Sequence, residues 1–270
     1  MMCAAMAGRR AQDLLDLAVD AAAAAGSLLL DRVGAPATGL ASKSTHTDLV
    51  SDADRAAEEL IVARILGARP QDAIVAEEGS GTPGAGGLRW LVDPLDGTIN
   101  YLWRIPQWCV SVAAADDVGP LVGVVHDPSR GETFTAARGA GAHRGGSPMC
   151  LDLESPPLAE ALVGTGFNYS AVERTRQAVR LTSILPAVRD VRRLGAAALD
   201  LAWVAAGRLD GYFETGVAAW DVAAGELIVR ESGGEVRALP ERDGSPAGVL
   251  ATRPGLAEPL LALVTAAPSA

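Results

Sequence analysis

A chain of 270 residues with 49% apolar side chains is long enough to bury one large core or two closely packed halves. Its formal charge of −10, from 33 acidic against 23 basic residues, excludes a face built to grip nucleic acid or an anionic membrane, since no dense Lys/Arg block appears. Cys3, Cys109 and Cys150 show no CxxC spacing, so neither a disulfide framework nor a zinc site is indicated, and a reducing cytoplasm fits best.

In chain order, residues 10–33 read as an amphipathic helix closed by Gly34 and Pro36. Arg9-Arg10 ahead of an Ala/Leu stretch has the look of a secretion signal. Asp13, Asp16 and Asp20 break its apolar region, however, and the run from Ala21 to Leu30 falls short of the ~20 residues that cross a bilayer. Ser51 is the N-cap of a second helix through Arg69, with Asp52 and Asp54 in its first turn. A short strand, Ala73 to Ala76, ends at Glu77-Glu78. After a glycine-rich loop, the strand Arg89 to Val92 runs into Asp93. Segments 108–115, 121–126 and 132–137 alternate or run apolar between Gly, Pro and Asp breaks, as strands do.

The second half predicts a strand at Leu162 to Thr165, a helix over 171–185, a strand over 188–194 and an Ala-rich helix over 196–206. A strand at Tyr212 to Glu214, a helix from Asp221 to Glu231, strands at 235–239 and 248–252 and a helix over 255–266 complete the chain. Helices and strands mixed without strict βαβ order predict a layered α/β or α+β sandwich. Residues 1–150 form its N-terminal half and 151–270 its C-terminal half, joined in one compact unit.

Gly79-Ser-Gly81-Thr-Pro-Gly84 is a literal GxGxxG after a strand, but a dinucleotide fingerprint must open a helix. Here Pro83 intervenes and Gly86-Gly87 lead into another strand, so the segment reads as a flexible surface loop. His46, His126 and His143 lie far apart and take ordinary structural or surface roles.

The informative segment is Trp90-Leu-Val-Asp93-Pro-Leu-Asp96-Gly-Thr98-Ile-Asn100. An apolar strand delivers Asp93, Pro94 fixes a turn that returns Asp96 beside it, and Gly97 lets the backbone approach a ligand. Two carboxylates on one tight turn suit a hard cation such as Mg²⁺ or Mn²⁺. The competing reading is an acidic strand–turn whose aspartates cap it. Further acidic positions, Asp54, Glu77 and Asp221, weigh toward the cation.

DLVSDAD (Asp48 to Asp54), AEEGS, WLVDPLDGTIN and GYFETGVAAWD, in this order and spacing, resemble the signature elements of the inositol monophosphatase family. The likeness runs from about residue 10 to the final helix, and it implies a layered αβαβα sandwich of the sugar-phosphatase type. It also implies a Mg²⁺-dependent, lithium-sensitive phosphomonoesterase, cytoplasmic and homodimeric, that acts on a small phosphate ester such as inositol 1-phosphate. Two or three Mg²⁺, or Mn²⁺ in their place, would be held by Glu77, Asp93, Asp96, Asp221 and the Leu95 carbonyl. Glu77, Thr98 and Asp54 match the group that activates the attacking water. Asp96, Gly97, Thr98, Gly195, Ala196, Ala197, Glu214 and Asp221 match substrate contacts.

Charge supports the same reading. Four carboxylates and a phosphomonoester dianion cannot share a pocket without cations, since at ~4 Å and an effective dielectric of ~20 each like-charge pair costs about 4 kcal/mol. Ile99 and Ala196 depart from the residues frequent in the family and bear on substrate fit. Asp52 supplies charge to a helix N-terminus, and Glu78 stands behind the ligands rather than among them. Histidinol phosphate, fructose 1,6-bisphosphate and 3′-phosphoadenosine phosphates remain alternative substrates for the same elements. A non-catalytic regulatory binding protein is the reading from a different class.

Overall fold

The computed structural model describes residues 2–34, 38–42, 49–242 and 244–266. Helix α1 (Met2–Arg32) opens the chain and starts well before residue 10. The paired strands β1 (Ala41–Ser42) and β2 (Leu49–Val50) lead into α2 (Asp52–Ala68). Then come β3 (Ala73–Ala76), β4 (Arg89–Asp96), the short helix α3 (Thr98–Leu102), β5 (Cys109–Asp116), β6 (Gly119–Asp127), β7 (Glu132–Ala137), β8 (Gly141–Arg144) and β9 (Ser147–Met149). The second half holds β10 (Leu162–Thr165), α4 (Ala171–Ile184), β11 (Asp190–Arg192), α5 (Ala197–Ala205), β12 (Gly211–Thr215), α6 (Ala219–Glu231), β13 (Glu235–Leu239), β14 (Gly248–Thr252) and α7 (Ala257–Thr265).

Strands β3 to β9 form a seven-stranded sheet in chain order, antiparallel except for the parallel β3–β4 pair. The second sheet has five strands in the order β11-β10-β12-β14-β13. Side-chain alternation along β4 sends Trp90 and Val92 to one face and Leu91 to the other, and all three are buried. Under the first face lie α1 and α2, whose Ala18, Ala21, Ala25, Leu29, Ile61 and Ile65 join Val92, Val110 and Val124 in one core. Over the other face lie α5 and α6, where Leu199, Leu201, Leu227 and Ile228 meet both Phe134 of the first sheet and Tyr212 and Val249 of the second. The outer face of the second sheet is closed by Ile184, Leu260 and Val264 from α4 and α7. The result is an αβαβα sandwich, and each fully buried Leu, Ile or Val contributes about 1.5–3 kcal/mol to holding the layers together.

Close approach sets the spacing of the middle layers. A Cβ on Gly225 would come within 2.5 Å of Leu201 Cβ, and one on Gly123 within 2.9 Å of Ala224 Cα, so glycine brings α6 against both α5 and the sheet.

Two elements differ from the sequence expectation for local reasons. Strand β4 continues beyond Val92, but its register with β5 shifts between Asp93 and Asp96. Pro94 has no N–H to give the ladder, so the strand bulges there and resumes at Asp96. The β8–β9 hairpin lies beyond the strands expected from the sequence, and Gly145 and Gly146, with φ of 55° and 82°, are the residues its two-residue turn demands.

Candidate active site

The bulge in β4 generates the acidic centre. Asp93 Oδ1 accepts the Leu95 N–H at 3.0 Å, which folds the turn back on itself. Asp96 then meets the far half of the chain, where its Oδ2 accepts the Ala198 N–H at 2.7 Å in the first turn of α5. Gly97 has φ of 91°, and a Cβ there would come within 2.9 Å of the Gln107 carbonyl, so this corner requires glycine. Asp221 lies in the first turn of α6 and accepts the Ala218 N–H at 2.7 Å. Glu77 leaves β3 beside β4, its N–H donating to Val92 O at 3.2 Å.

A hydrogen bond joins Thr98, the first residue of α3, to Asp54 in the first turn of α2. The Thr98 hydroxyl lies 3.0 Å from Asp54 Oδ1 and 3.1 Å from the Leu95 carbonyl. Both neighbours only accept, so the hydroxyl proton is committed inward and the oxygen lone pairs face outward. Asp54 is kept in place by the cap of α2, since its Oδ2 also receives the Ser51 N–H at 3.0 Å.

The cavity these groups line has a volume of about 130 Å³. Glu77, Asp93, Leu95, Asp96, Gly97 and Thr98 form one wall, and Gly195, Ala197, Glu214 and Asp221 the other. Phe167, Asn168, Tyr169 and Arg193 stand around it, and Arg193 is the sole basic side chain among the lining residues. Burial raises the Asp93 carboxyl well above its ordinary range, and the charges of Glu77, Asp96 and Asp221 raise it further. Burial pushes Asp96 up to about 7 against the pull of the Ala198 N–H. Asp221 is raised by burial and by Asp96, Glu77 and Glu214, with the Ala218 N–H opposing. Glu214 is raised by burial, while the Tyr212 hydroxyl donates to it. Groups held so far from their ordinary range in a cleft mark a site where a positive ligand is favoured.

The donor set fits a hard divalent cation, being carboxylate and carbonyl oxygen throughout. Among the described residues no three His, Cys, Asp or Glu side chains already form a closed cage. Mg²⁺ does not need one, because it keeps several waters and uses one or two carboxylates together with phosphate oxygens.

Most of the residues singled out in the sequence meet at this cavity, and some do not. Asp54 is fully buried and reaches it only through Thr98. Ala196 N-caps α5 and is 1% exposed, so its side chain packs in the core and any contact with substrate would fall to its backbone. Asp52 pairs with Arg55 at 2.7 Å on the surface, and Glu78 does not line the cavity. Loop 79–87 is not a free surface loop, because Thr82 exchanges two 2.9 Å backbone hydrogen bonds with Ile74 and covers the sheet edge. His126 lies under α1, bonded to Thr133 at 2.9 Å. His46 and Asp48 fall outside the described residues.

Sequence reasoning missed Gly166 and Asn100. A Cβ at Gly166 would collide with the Glu214 carboxylate. The Asn100 amide donates to Gln107 O at 2.7 Å and to Leu194 O at 2.8 Å, tying α3 to the loop before α5. Only the invitation of a polar residue inside a short apolar helix hinted at the second.

The model of the inositol monophosphatase family matches residues 10–268. The chain belongs to that family. It is 45% identical over 232 residues to the inositol-1-monophosphatase of Mycobacterium leprae, covering 82% of this chain and 79% of that one. It is 41% identical over 229 residues to the Nus factor SuhB of Escherichia coli (strain K12), covering 83% and 84% of the two chains. The solved inositol monophosphatase of Anabaena (Nostoc) sp. PCC 7120 superposes with a TM-score of 0.82 at 35% identity, over 95% of this chain and 97% of that one. Family membership is consistent with hydrolysis of small phosphate esters, and the acidic cavity is the part of the chain suited to that chemistry.

Proposed function

We propose that the chain is a Mg²⁺-dependent phosphomonoesterase whose preferred substrate is a small polyol phosphate, inositol 1-phosphate foremost. The observation that carries the reading is the cavity itself, where five carboxylates stand against one arginine beside the Thr98–Asp54 pair. Such a site is repulsive to a phosphate dianion until cations enter it. Glu77, Asp93, Asp96, Asp221 and the Leu95 carbonyl would hold two or three Mg²⁺, or Mn²⁺ in their place. When bound, these ions supply charge stabilisation for the transferring phosphoryl group and its leaving oxygen.

The protein's own groups do the rest. Backbone N–H groups of Gly97 and Thr98 orient the phosphate, with Gly97 leaving the space for it. The outward lone pairs of Thr98 accept a proton from the attacking water, and the inward Thr98 proton passes to Asp54. A P–O bond to water forms, the ester P–O bond breaks, and the released alcohol takes a proton from solvent. Gly195, Ala197, Glu214 and Asp221 face the alcohol portion, where Glu214 and Asp221 accept hydrogen bonds from hydroxyls. A polyol suits these acceptors better than an apolar alcohol does. The proposal includes a homodimer in a reducing cytoplasm, supported by family membership and by the cysteine usage, and inhibition by Li⁺, supported by family membership.

Phosphate release should be measured for inositol, histidinol, fructose and adenosine phosphates, with Mg²⁺ and with EDTA. Turnover that is lost in EDTA and restored by excess Mg²⁺, highest with inositol 1-phosphate, is the expected result. Full activity in chelator would refute metal dependence, and no release from any ester would favour the regulatory role carried in the name of the E. coli relative.

A further inference from the structure

Asp54 and Glu58 stand one helical turn apart on the same face of α2, and both are 0% exposed. Asp54 serves Thr98, whereas Glu58 has other partners. Its Oε2 accepts the backbone N–H of Glu78 at 2.6 Å, and its Oε1 accepts that of Ser80 at 2.8 Å. These amides belong to the turn that directly follows Glu77. Gly79 between them has φ of 100°, which lets the two N–H groups converge on one side. The turn closes round the Glu58 carboxylate as a backbone nest closes round an anion. A carboxylate wholly out of water is retained only where it is well bonded, and charge-assisted bonds of this kind are about twice as strong as neutral ones. On its other side Glu77 is fixed by the bond to Val92 O, so the backbone is gripped both before and after this one side chain.

We infer that Glu58 is a positioning residue for Glu77, setting the path of the Glu77–Ser80 turn and with it the direction in which the Glu77 carboxylate meets the cavity. The inference rests on the reading of Glu77 as a cation ligand. On that reading α2 aligns both parts of the water-activating group from one helix face, Thr98 through Asp54 and Glu77 through Glu58. Outer partners that orient ligands lower metal affinity by roughly 10- to 100-fold when removed. That is the range expected for the Mg²⁺ half-saturation of Glu58→Gln and Glu58→Ala.

Three measurements on the full chain test this. Phosphate release from inositol 1-phosphate against Mg²⁺ should show the raised half-saturation, with kcat recovering at saturating Mg²⁺ and KM for the ester unchanged. The Mg²⁺-induced rise in Tm, which needs no turnover, should move to the same higher concentration. Hydrogen exchange should accelerate at the Glu78 and Ser80 amides. Glu58→Asp, which keeps the charge, should fall between wild type and Glu58→Gln, and it carries the test if Glu58→Ala does not fold. Faster exchange with an unchanged Mg²⁺ titration would overturn the proposal, since Glu58 would then be only a tether of the turn. Unchanged exchange would overturn it as well. A wild-type chain whose Tm ignores Mg²⁺ would instead sink the metal-phosphatase reading, and the exchange data alone would then decide whether Glu58 holds the turn.

Discussion

Asn100 is the best single probe of how the two walls of the cavity are kept in register. Its side-chain amide is 7% exposed and gives its two N–H bonds to Gln107 O and Leu194 O, at 2.7 and 2.8 Å. Both partners are acceptors, so the amide orientation is fixed by its surroundings. Asn100→Ala removes both bonds and leaves two carbonyls without a donor, at about 1–3 kcal/mol each, or roughly 3 kcal/mol after relaxation and water entry. For a chain of this size that lowers Tm by about 6–12 °C. Asn100→Asp keeps the shape but presents oxygen to oxygen, so it should melt at least as early as the alanine variant. Because Leu194 precedes the Gly195–Ala197 wall, the surviving folded enzyme should show KM for inositol 1-phosphate raised more than kcat is lowered. Thermal melts followed by steady-state kinetics below the melting range measure both effects. An Asn100→Asp protein as stable as wild type would refute the assigned bonding, and an unchanged KM would refute its link to the substrate wall.

Three further expectations can be checked separately. Thr98→Ala should lower kcat by about 100-fold or more while changing KM little, since proton relay acts only in the chemical step; an unchanged kcat would remove Thr98 from that role. Gly225→Ala drives a methyl to within 2.5 Å of Leu201 Cβ, and urea titration should show a loss of about 1–3 kcal/mol. The Arg208 guanidinium, bonded at 2.5 and 2.6 Å, holds Glu132 below the usual carboxylate range. Its stabilisation is therefore present above the unfolded value of about 4.3 and is lost as pH falls through the lower folded value. Glu132→Gln should be less stable than wild type at neutral pH, and the gap should close in acid; a gap that persists there would show that packing, rather than charge, is responsible.

What was legible in the residues alone is local. Apolar runs marked the strands that carry the first carboxylates, the Ser51 cap marked where α2 starts, and the Asp93-Pro94-Leu95-Asp96-Gly97 turn sits within seven residues of Trp90 in the same short motif. The acidic pair was legible because turn chemistry acts between near neighbours in the chain. Family motifs extended this to Glu77 and Asp221, although nothing local joins Asp221 to Asp93. Tertiary structure decided that meeting. The first turn of α5 has to reach the β4 turn before Ala198 can hold Asp96, and α6 has to point the already capped Asp221 into the same cavity. It also decided which polar residues turn inward to serve the site and which only fill space. Glu58 and Asn100 look like ordinary helix residues until Ser80 and Leu194 arrive from other elements. Hydrogen bonds across such distances depend on how five layers stack, and the stacking follows from burial summed over the whole chain rather than from any one segment.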